Sequence, residues 1–201
     1  MDVKDNFFTI DNYRSLIQSD RQTFLLNAIG SKDENVLKYI GIGEKSGIDK
    51  KYLTSCRTPW YSLENRPPAS IWVSVFNRSG LKFIRNEANI SNLTTFHCVY
   101  LVQNSLFDNV NADLLFAYLL TDVAREIFED NRREYGNGLQ KFEPNDLNKA
   151  MMLDLTLLDK KTENKIIELY KKYRATAIDK SPDDSFLTEI NNIFKNKYCQ
   201  C

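Results

Sequence analysis

The spacing of apolar positions changes character near the middle of the chain, from a period of two between residues 70 and 102 to recurrences at three and four from residue 111 onward. In Ser70 to Asn77 (SIWVSVFN), Ile71, Val73 and Val75 alternate with Trp72, Ser74 and Phe76, so both sets carry apolar groups and both faces of the strand are at least partly covered. Asn77-Arg78-Ser79-Gly80 reads as a hairpin-type turn. The following strand, Leu81 to Arg85, puts Leu81, Phe83 and Arg85 on one face, and a third runs from Thr94 to Val102. The second half predicts three amphipathic helices. Asn111 to Asn131 has its stripe at Leu114, Leu115, Tyr118, Leu119, Val123 and Ile127; Thr162 to Ala175 and Asp184 to Tyr198 follow. The expected class is α+β, with an antiparallel or mixed curved sheet in the N-terminal half packed with a helical C-terminal half. The expected division is a sheet-rich subdomain over 1–104 and a helical supporting subdomain over 105–201.

Upstream of the sheet the pattern is weaker. Phe7 to Ile10 reads as a short strand or extended lead-in, and Asp11 as the N-cap of a helix over Asn12 to Asp20. Thr23 to Ile29 is apolar enough to be buried, 30–35 reads as a loop, and Val36 to Ile42 has the apolar character of a strand. Gly41, Gly43 and Gly47 have the spacing G-x-G-x-x-x-G with no Lys-Ser/Thr after them, so they read as turn glycines rather than a phosphate cradle. Pro59 biases Thr58 toward an extended conformation and keeps Trp60 and Tyr61 out of a helix interior. Tyr135-Gly136-Asn137-Gly138 is a tight turn of residues that tolerate positive φ.

Composition excludes several classes. With 201 residues, 42% apolar and 27% charged, the chain has the makings of a folded core of one domain or two small ones. No apolar run is long enough to span a bilayer, and MDVKDNFFTI lacks a secretory signal, so no membrane partner and a cytoplasmic location are expected. Cys56, Cys98, Cys199 and Cys201 sit at unrelated spacings beside a single histidine, His97, which argues for reduced thiols and no metal site. His97 has no paired nucleophile and reads as a structural hydrogen-bonder.

Charge is where the neutral chain becomes informative. Between Lys38 and Asn86 nine cations (Lys38, Lys45, Lys50, Lys51, Arg57, Arg66, Arg78, Lys82 and Arg85) face three anions (Glu44, Asp49 and Glu64), an excess of +6. Tyr52, Trp60, Tyr61 and Trp72 lie among them, planar groups able to stack or wedge beside a phosphate backbone. Solvated charge on an ordinary sheet explains the same letters. From Asp108 to Glu134 the balance reverses to −4, so the helix there is not expected to face nucleic acid. Lys50, Lys51, Arg78 and Lys82 are candidates for phosphates, and Arg57, Arg66, Arg85 and Asn86 for base edges, where a bidentate pair discriminates by about 1–3 kcal/mol. Trp60 and Tyr61 are candidates for packing on a sugar or a displaced base. Competing readings stay open: Trp60 as a core brace of the Pro59 turn, and Arg57 and Arg66 as internal partners of Glu64.

The succession Tyr39-Ile40, Gly43-Glu44, Gly47, Tyr52-Leu53, Arg57-x-Pro59-Trp60-Tyr61-x-x-Glu64-x-Arg66 and Phe83-Ile84-Arg85-Asn86, then Tyr135-Gly-Asn-Gly-Leu139-x-Lys141-x-Glu143-Pro144-x-x-Leu147, resembles the C-terminal region of type II adenine-specific DNA methyltransferases of bacterial restriction-modification systems. The resemblance covers roughly Tyr13 to Leu155. The family usually has Gly where this chain has Asn137. What the resemblance implies is a target-recognition domain of TaqI type that binds double-stranded DNA. Its missing methyltransferase catalytic domain would carry the S-adenosylmethionine and the Asn/Asp-Pro-Pro-Tyr/Phe motif. Asn65-Arg66-Pro67-Pro68 cannot stand in for that motif, so no cofactor and no catalytic residue are expected here. The other classes considered are a protein-interaction or specificity-subunit module without DNA contact, and a nuclease, for which the acids lack the P-D-x(n)-E-x-K spacing on a strand pair.

Overall fold

The computed structural model describes residues 5–64, 66–77, 80–101, 111–130, 133–135 and 139–198. These divide into two compact units. One contains residues up to Arg14 together with Pro68 and everything after it; the other runs from Ser15 to Pro67. The sheet and the C-terminal helices share one unit. The reason is a single apolar cluster in which Phe7, Ile71, Val73 and Phe83 from strands pack with Phe116, Tyr118, Ile166, Tyr170, Ile190 and Phe194 from helices.

In the larger unit, β1 (Phe7–Phe8), β2 (Ile71–Ser74), β4 (Phe83–Asn86) and β5 (Phe96–Val99) form a mixed sheet in the order β1-β4-β2-β5, with β3 (Phe76–Asn77) lying between β2 and β4 in sequence. Only the β1 to β4 pairing is parallel; Trp72 pairs with Ile84 and with Cys98 across antiparallel neighbours. As its alternation predicts, β2 is buried at all four positions. One face supplies Ile71 and Val73 to the apolar cluster, and Trp72 stacks on Phe96 at 5.5 Å and packs on Phe8. Val75 carries the chain from this sheet into a second one: its N–H donates to Thr95 O and its carbonyl accepts from Phe142 N–H. There β3 pairs with β7 (Leu139–Lys141), which pairs with β6 (Arg133–Tyr135). The hairpin-turn residues Arg78 and Ser79 and the turn residues 136–138 lie outside the described residues.

The helix expected over Asn111 to Asn131 is two helices, α4 (Ala112–Leu119) and α5 (Asp122–Glu129). Thr121 causes the break. Its hydroxyl donates to Tyr118 O at 2.6 Å and accepts from Ala124 N–H, ending one helix and capping the next, while buried Asn191 accepts from Val123 N–H. Every residue from Leu114 to Leu119 is buried, so α4 is the central helix. Around it pack α7 (Lys160–Ile178) and α8 (Ser185–Tyr198), both close to their predicted spans. A short α6 (Pro144–Lys149) precedes them, with Glu143 and Asp146 forming a capping box.

Carboxylates hold this half together at its helix ends and turns. Asp159 caps α7 by accepting from Thr162 and also takes Lys197 of α8 at 2.9 Å. Hydrogen bonds from Lys197, Arg133, Lys141, Thr156, Lys172 and Ser185 hold Asp159, Asp146, Glu143, Asp154, Glu168 and Asp183, respectively, below the ordinary carboxylate range. A depressed folded-state value contributes stability that is complete above the unfolded value, near pH 4, and is lost as the pH falls through the folded one. The thermal midpoint is therefore expected to be flat from neutrality to about pH 5.5 and to fall below about pH 4.5. Circular-dichroism melts across that range check this; a midpoint that rises on acidification would contradict it.

The smaller unit is described by itself. Helix α1 (Ile10–Gln18) crosses the boundary between the two units, and its N-terminus is capped reciprocally by Thr9 and Asn12 rather than by Asp11. Val36 to Ile42, expected as a strand, lies inside α2 (Glu34–Lys45). Asp33 fixes the start by accepting from Asn35 and Val36 N–H groups, and Gly47 fixes the end. At φ +69°, Gly47 allows Ile48 N–H to reach Gly43 O and its own N–H to reach Glu44 O, a Schellman closure. Gly47 is thus a turn glycine, but Gly41 and Gly43 are helical. After α2 come the single turn α3 (Tyr52–Ser55) and the loop through Trp60. Thr23 to Ile29, expected to be buried, forms no helix or strand and exposes Phe24 (75%), Leu25, Leu26 and Ile29; Ala28 is buried. An apolar run records hydrophobicity, not what covers it, and so short a unit leaves a large share of its surface open.

Candidate nucleic-acid interface

The residues singled out from sequence fall on both compact units. Lys50, Lys51, Arg57, Trp60, Tyr61 and Arg66 belong to the smaller one; Lys82, Arg85 and Asn86 belong to the larger. Arg78 lies outside the described residues.

In the smaller unit, the loop from Arg57 to Arg66 is organised around one carboxylate. Glu64 takes Arg57 on one oxygen at 3.3 Å and Arg66 on the other at 2.9 Å, while Arg57 also donates to Ser62 O at 3.1 Å. Two guanidinium groups around one carboxylate leave a net positive charge. Because Arg66 and Glu64 are both well exposed, their pair is worth only about 0–1 kcal/mol, and a phosphate can compete for it. Trp60 is half-buried with its ring edge against the Cα of Gly43, so close that a Cβ there would meet Trp60 Cη2 at 2.6 Å. Its indole N–H donates to Glu44 at 3.3 Å, and Tyr61 meets it edge-on at 5.6 Å. Trp60 therefore braces the loop on α2, the core role that stood as the alternative to base packing.

Lys45, Lys50 and Lys51 are different. All three are exposed, and their side chains make no hydrogen bond or ion pair among the described residues. Lys51 is the N-cap residue of α3 yet its side chain does no capping. Lys38, by contrast, pairs with Glu34.

In the larger unit the expected base readers are occupied. The Arg85 guanidinium is 17% exposed; Nε and Nη2 donate to one oxygen of Asp113 at 3.1 and 3.0 Å, and Nη1 donates to Ser70 O at 2.8 Å. Asn86 is 4% exposed and bridges Ala69 O and Ile90 O, both at 2.8 Å. These contacts give Arg85 and Asn86 structural work, tying β4 to the start of α4 and to the loop after the strand. Lys82 is half-buried, and that burial lowers its ammonium's pKa. His97 is seated by Phe142 O at 2.8 Å, joining the two sheets. Sequence reasoning passed over the bidentate pair between Arg174 of α7 and Glu87 after β4; its only signal was charge on an otherwise buried helix face.

Among the described residues no group of His, Cys, Asp and Glu is arranged to hold a metal ion, and no helix is long and apolar enough to cross a membrane. Of the three glycines of α2 and the turn after it, Gly43 faces the Trp60 ring, Gly47 closes the helix and Gly41 has open space beside it.

Residues 1–187 match the family of the type II methyltransferase M.Eco57I, C-terminal domain. The type II methyltransferase M.AccI of Acinetobacter calcoaceticus is 58% identical over 200 residues, 99% of this chain. That alignment spans 37% of the relative, so the chain accounts for well under half of that protein's length.

Proposed function

The chain belongs to the M.Eco57I C-terminal-domain family of type II methyltransferases, and from that premise we propose that it is the target-recognition region of an adenine-specific, cytoplasmic bacterial DNA methyltransferase. It reads duplex DNA for an S-adenosylmethionine-dependent catalytic domain carried elsewhere in the protein, and it is inactive in methyl transfer alone. The observation that carries the reading is membership in a methyltransferase family by a chain with neither a methyl-donor loop nor an Asn/Asp-Pro-Pro-Tyr motif. Sequence-specific modification then leaves recognition as the task for this part.

The exposed, unpaired lysines give the reading a physical basis. Lys45, Lys50 and Lys51 hold phosphates, Arg57 and Arg66 exchange Glu64 for DNA, and Tyr61 and Trp60 pack on sugar or base. Lys82 and Arg78 are separate phosphate candidates on the larger unit. Arg85 and Asn86 are left out, because freeing them would take from Asp113, Ala69 O and Ile90 O the side-chain donors they accept.

Fluorescence anisotropy of a labelled duplex across salt tests this. Each phosphate contact steepens the fall of log K with log salt by about 0.9, so Lys50→Gln/Lys51→Gln is expected to flatten the slope by about 2. Absence of binding even at about 50 mM salt would overturn the proposal. A second reading, a protein-interaction module without DNA contact, draws on exposed Phe24, Leu25 and Leu26. It predicts no DNA affinity together with association through that segment, which Phe24→Ser would weaken in a sedimentation experiment.

A further inference from the structure

Seven aromatics lie in the cationic stretch; Phe83 is buried, Tyr39 and Phe76 are partly exposed at 66% and 53%, and the surroundings of the other four separate them. Trp72 is 2% exposed inside the sheet. Trp60 lies against Gly43, and Tyr61 is half-buried edge-on to Trp60. Tyr52 is 81% exposed and makes no ring contact among the described residues, and the next residue, Leu53, is 72% exposed. Two large side chains thus stand side by side in water at the tip of α3, directly after Lys50 and Lys51.

The turn that presents them is held from below. Thr54 Oγ1 donates to Lys51 O at 2.9 Å and also to Ile48 O; Ser55 N–H donates to Lys51 O at 2.8 Å; Ser55 Oγ donates to Tyr52 O at 3.0 Å; and Arg57 N–H reaches Thr54 O. A polar scaffold fixes the backbone while the apolar side chains stay uncovered. Such preorganisation removes much of the ordering cost of inserting them into a partner.

We propose that Tyr52 and Leu53 form an apolar wedge that enters a DNA groove and packs on base or sugar faces while Lys50 and Lys51 hold the adjacent phosphates. The inference rests on the recognition reading above and adds to it the residues that penetrate the duplex. Duplex DNA suits the site better than an apolar protein face. Among the described residues Lys45, Lys50 and Lys51 make no ion pair, and the sole acid between Ser46 and Ser55 is the half-buried Asp49, so a protein partner would have to desolvate ammonium groups that phosphates neutralise. Apolar side chains inserted beside base steps, flanked by cations, are an established way for proteins to grip and unstack DNA.

The test is a salt titration of duplex binding by the parent chain, Tyr52→Ala/Leu53→Ala and Tyr52→Trp, each first shown by thermal unfolding to keep the parental midpoint. The double variant is expected to bind about ten-fold or more weakly at every salt concentration with an unchanged slope, since stacking and wedge contacts displace no counterions. Tyr52→Trp is expected to keep parental affinity. If the parent binds duplex and the double variant binds equally well, or loses affinity only through a flatter slope, the wedge is refuted and the recognition reading stands; the surface then serves a protein contact. If the parent binds no duplex at low salt, the recognition reading fails and the wedge fails with it.

Discussion

Replacing Arg85 by alanine is expected to destabilise the larger unit by about 2–3 kcal/mol, because it breaks a largely desolvated pair that leaves Asp113 without its cation and removes one of the two hydrogen bonds that Ser70 O accepts. The thermal midpoint should drop by about 6–12 °C for a unit of this size. Below that midpoint, duplex affinity should stay within about two-fold of the parent. A base-reading arginine behaves in the opposite way: its loss costs about 1–3 kcal/mol of DNA discrimination and little stability. Asp113→Ala should destabilise at least as much, since it leaves a guanidinium without its anion, and the double variant should cost less than the sum of the two. Melting curves and anisotropy on the same samples separate the two roles. Loss of DNA binding with an unchanged midpoint would return Arg85 to the interface.

Gly43→Val should have the larger consequence for DNA binding although no DNA contact is assigned to Gly43. A Cβ at this position meets Trp60 Cη2 at 2.6 Å, and the valine methyl groups add further overlap. Overpacking of this kind costs about 1–3 kcal/mol, only partly offset by the better helix propensity of valine over glycine. In so small a unit that is a large part of the total stability, so the loop from Arg57 to Arg66 should lose its seat on α2 and the lysine face its fixed geometry. Amide hydrogen exchange of α2 should accelerate and duplex affinity should fall together. Trp60→Leu, by vacating the ring's place, should restore part of both in the double variant. If Gly43→Val leaves exchange and affinity unchanged, the indole is not the brace of this unit.

Together the two variants bear on how recognition is divided within the chain. The larger unit spends two of its cations on its own architecture: Arg85 on Asp113 and Arg174 on Glu87. The smaller unit keeps Lys45, Lys50 and Lys51 uncommitted and places Arg57 and Arg66 around one exchangeable carboxylate. That contrast is why the proposed contacts concentrate between residues 45 and 66.

Much of the architecture was legible in the amino-acid order because it depends on local physics. The alternation of Ile71, Val73 and Val75 with Trp72 marks a strand buried on both faces, and the stripes of α7 and α8 mark helices against a core; both need only the period of the backbone. The cationic excess from Lys38 to Asn86 is likewise a property of composition. Where the local pattern was ambiguous, caps and contacts between side chains decided. Val36 to Ile42 has the letters of a strand, but the Asp33 cap, the closure at Gly47 and the fit of Trp60 on Gly43 make it helical. The helix expected over Asn111 to Asn131 breaks at Thr121, where Asn191 of α8 arrives to satisfy the new N-terminus. No spacing rule links Arg85 to Asp113 or exposes Phe24. The sequence by itself determined which segments are amphipathic and where charge accumulates; the tertiary structure alone decided which cations are consumed internally and which aromatic faces water, because pairing and burial depend on neighbours that only folding brings within reach.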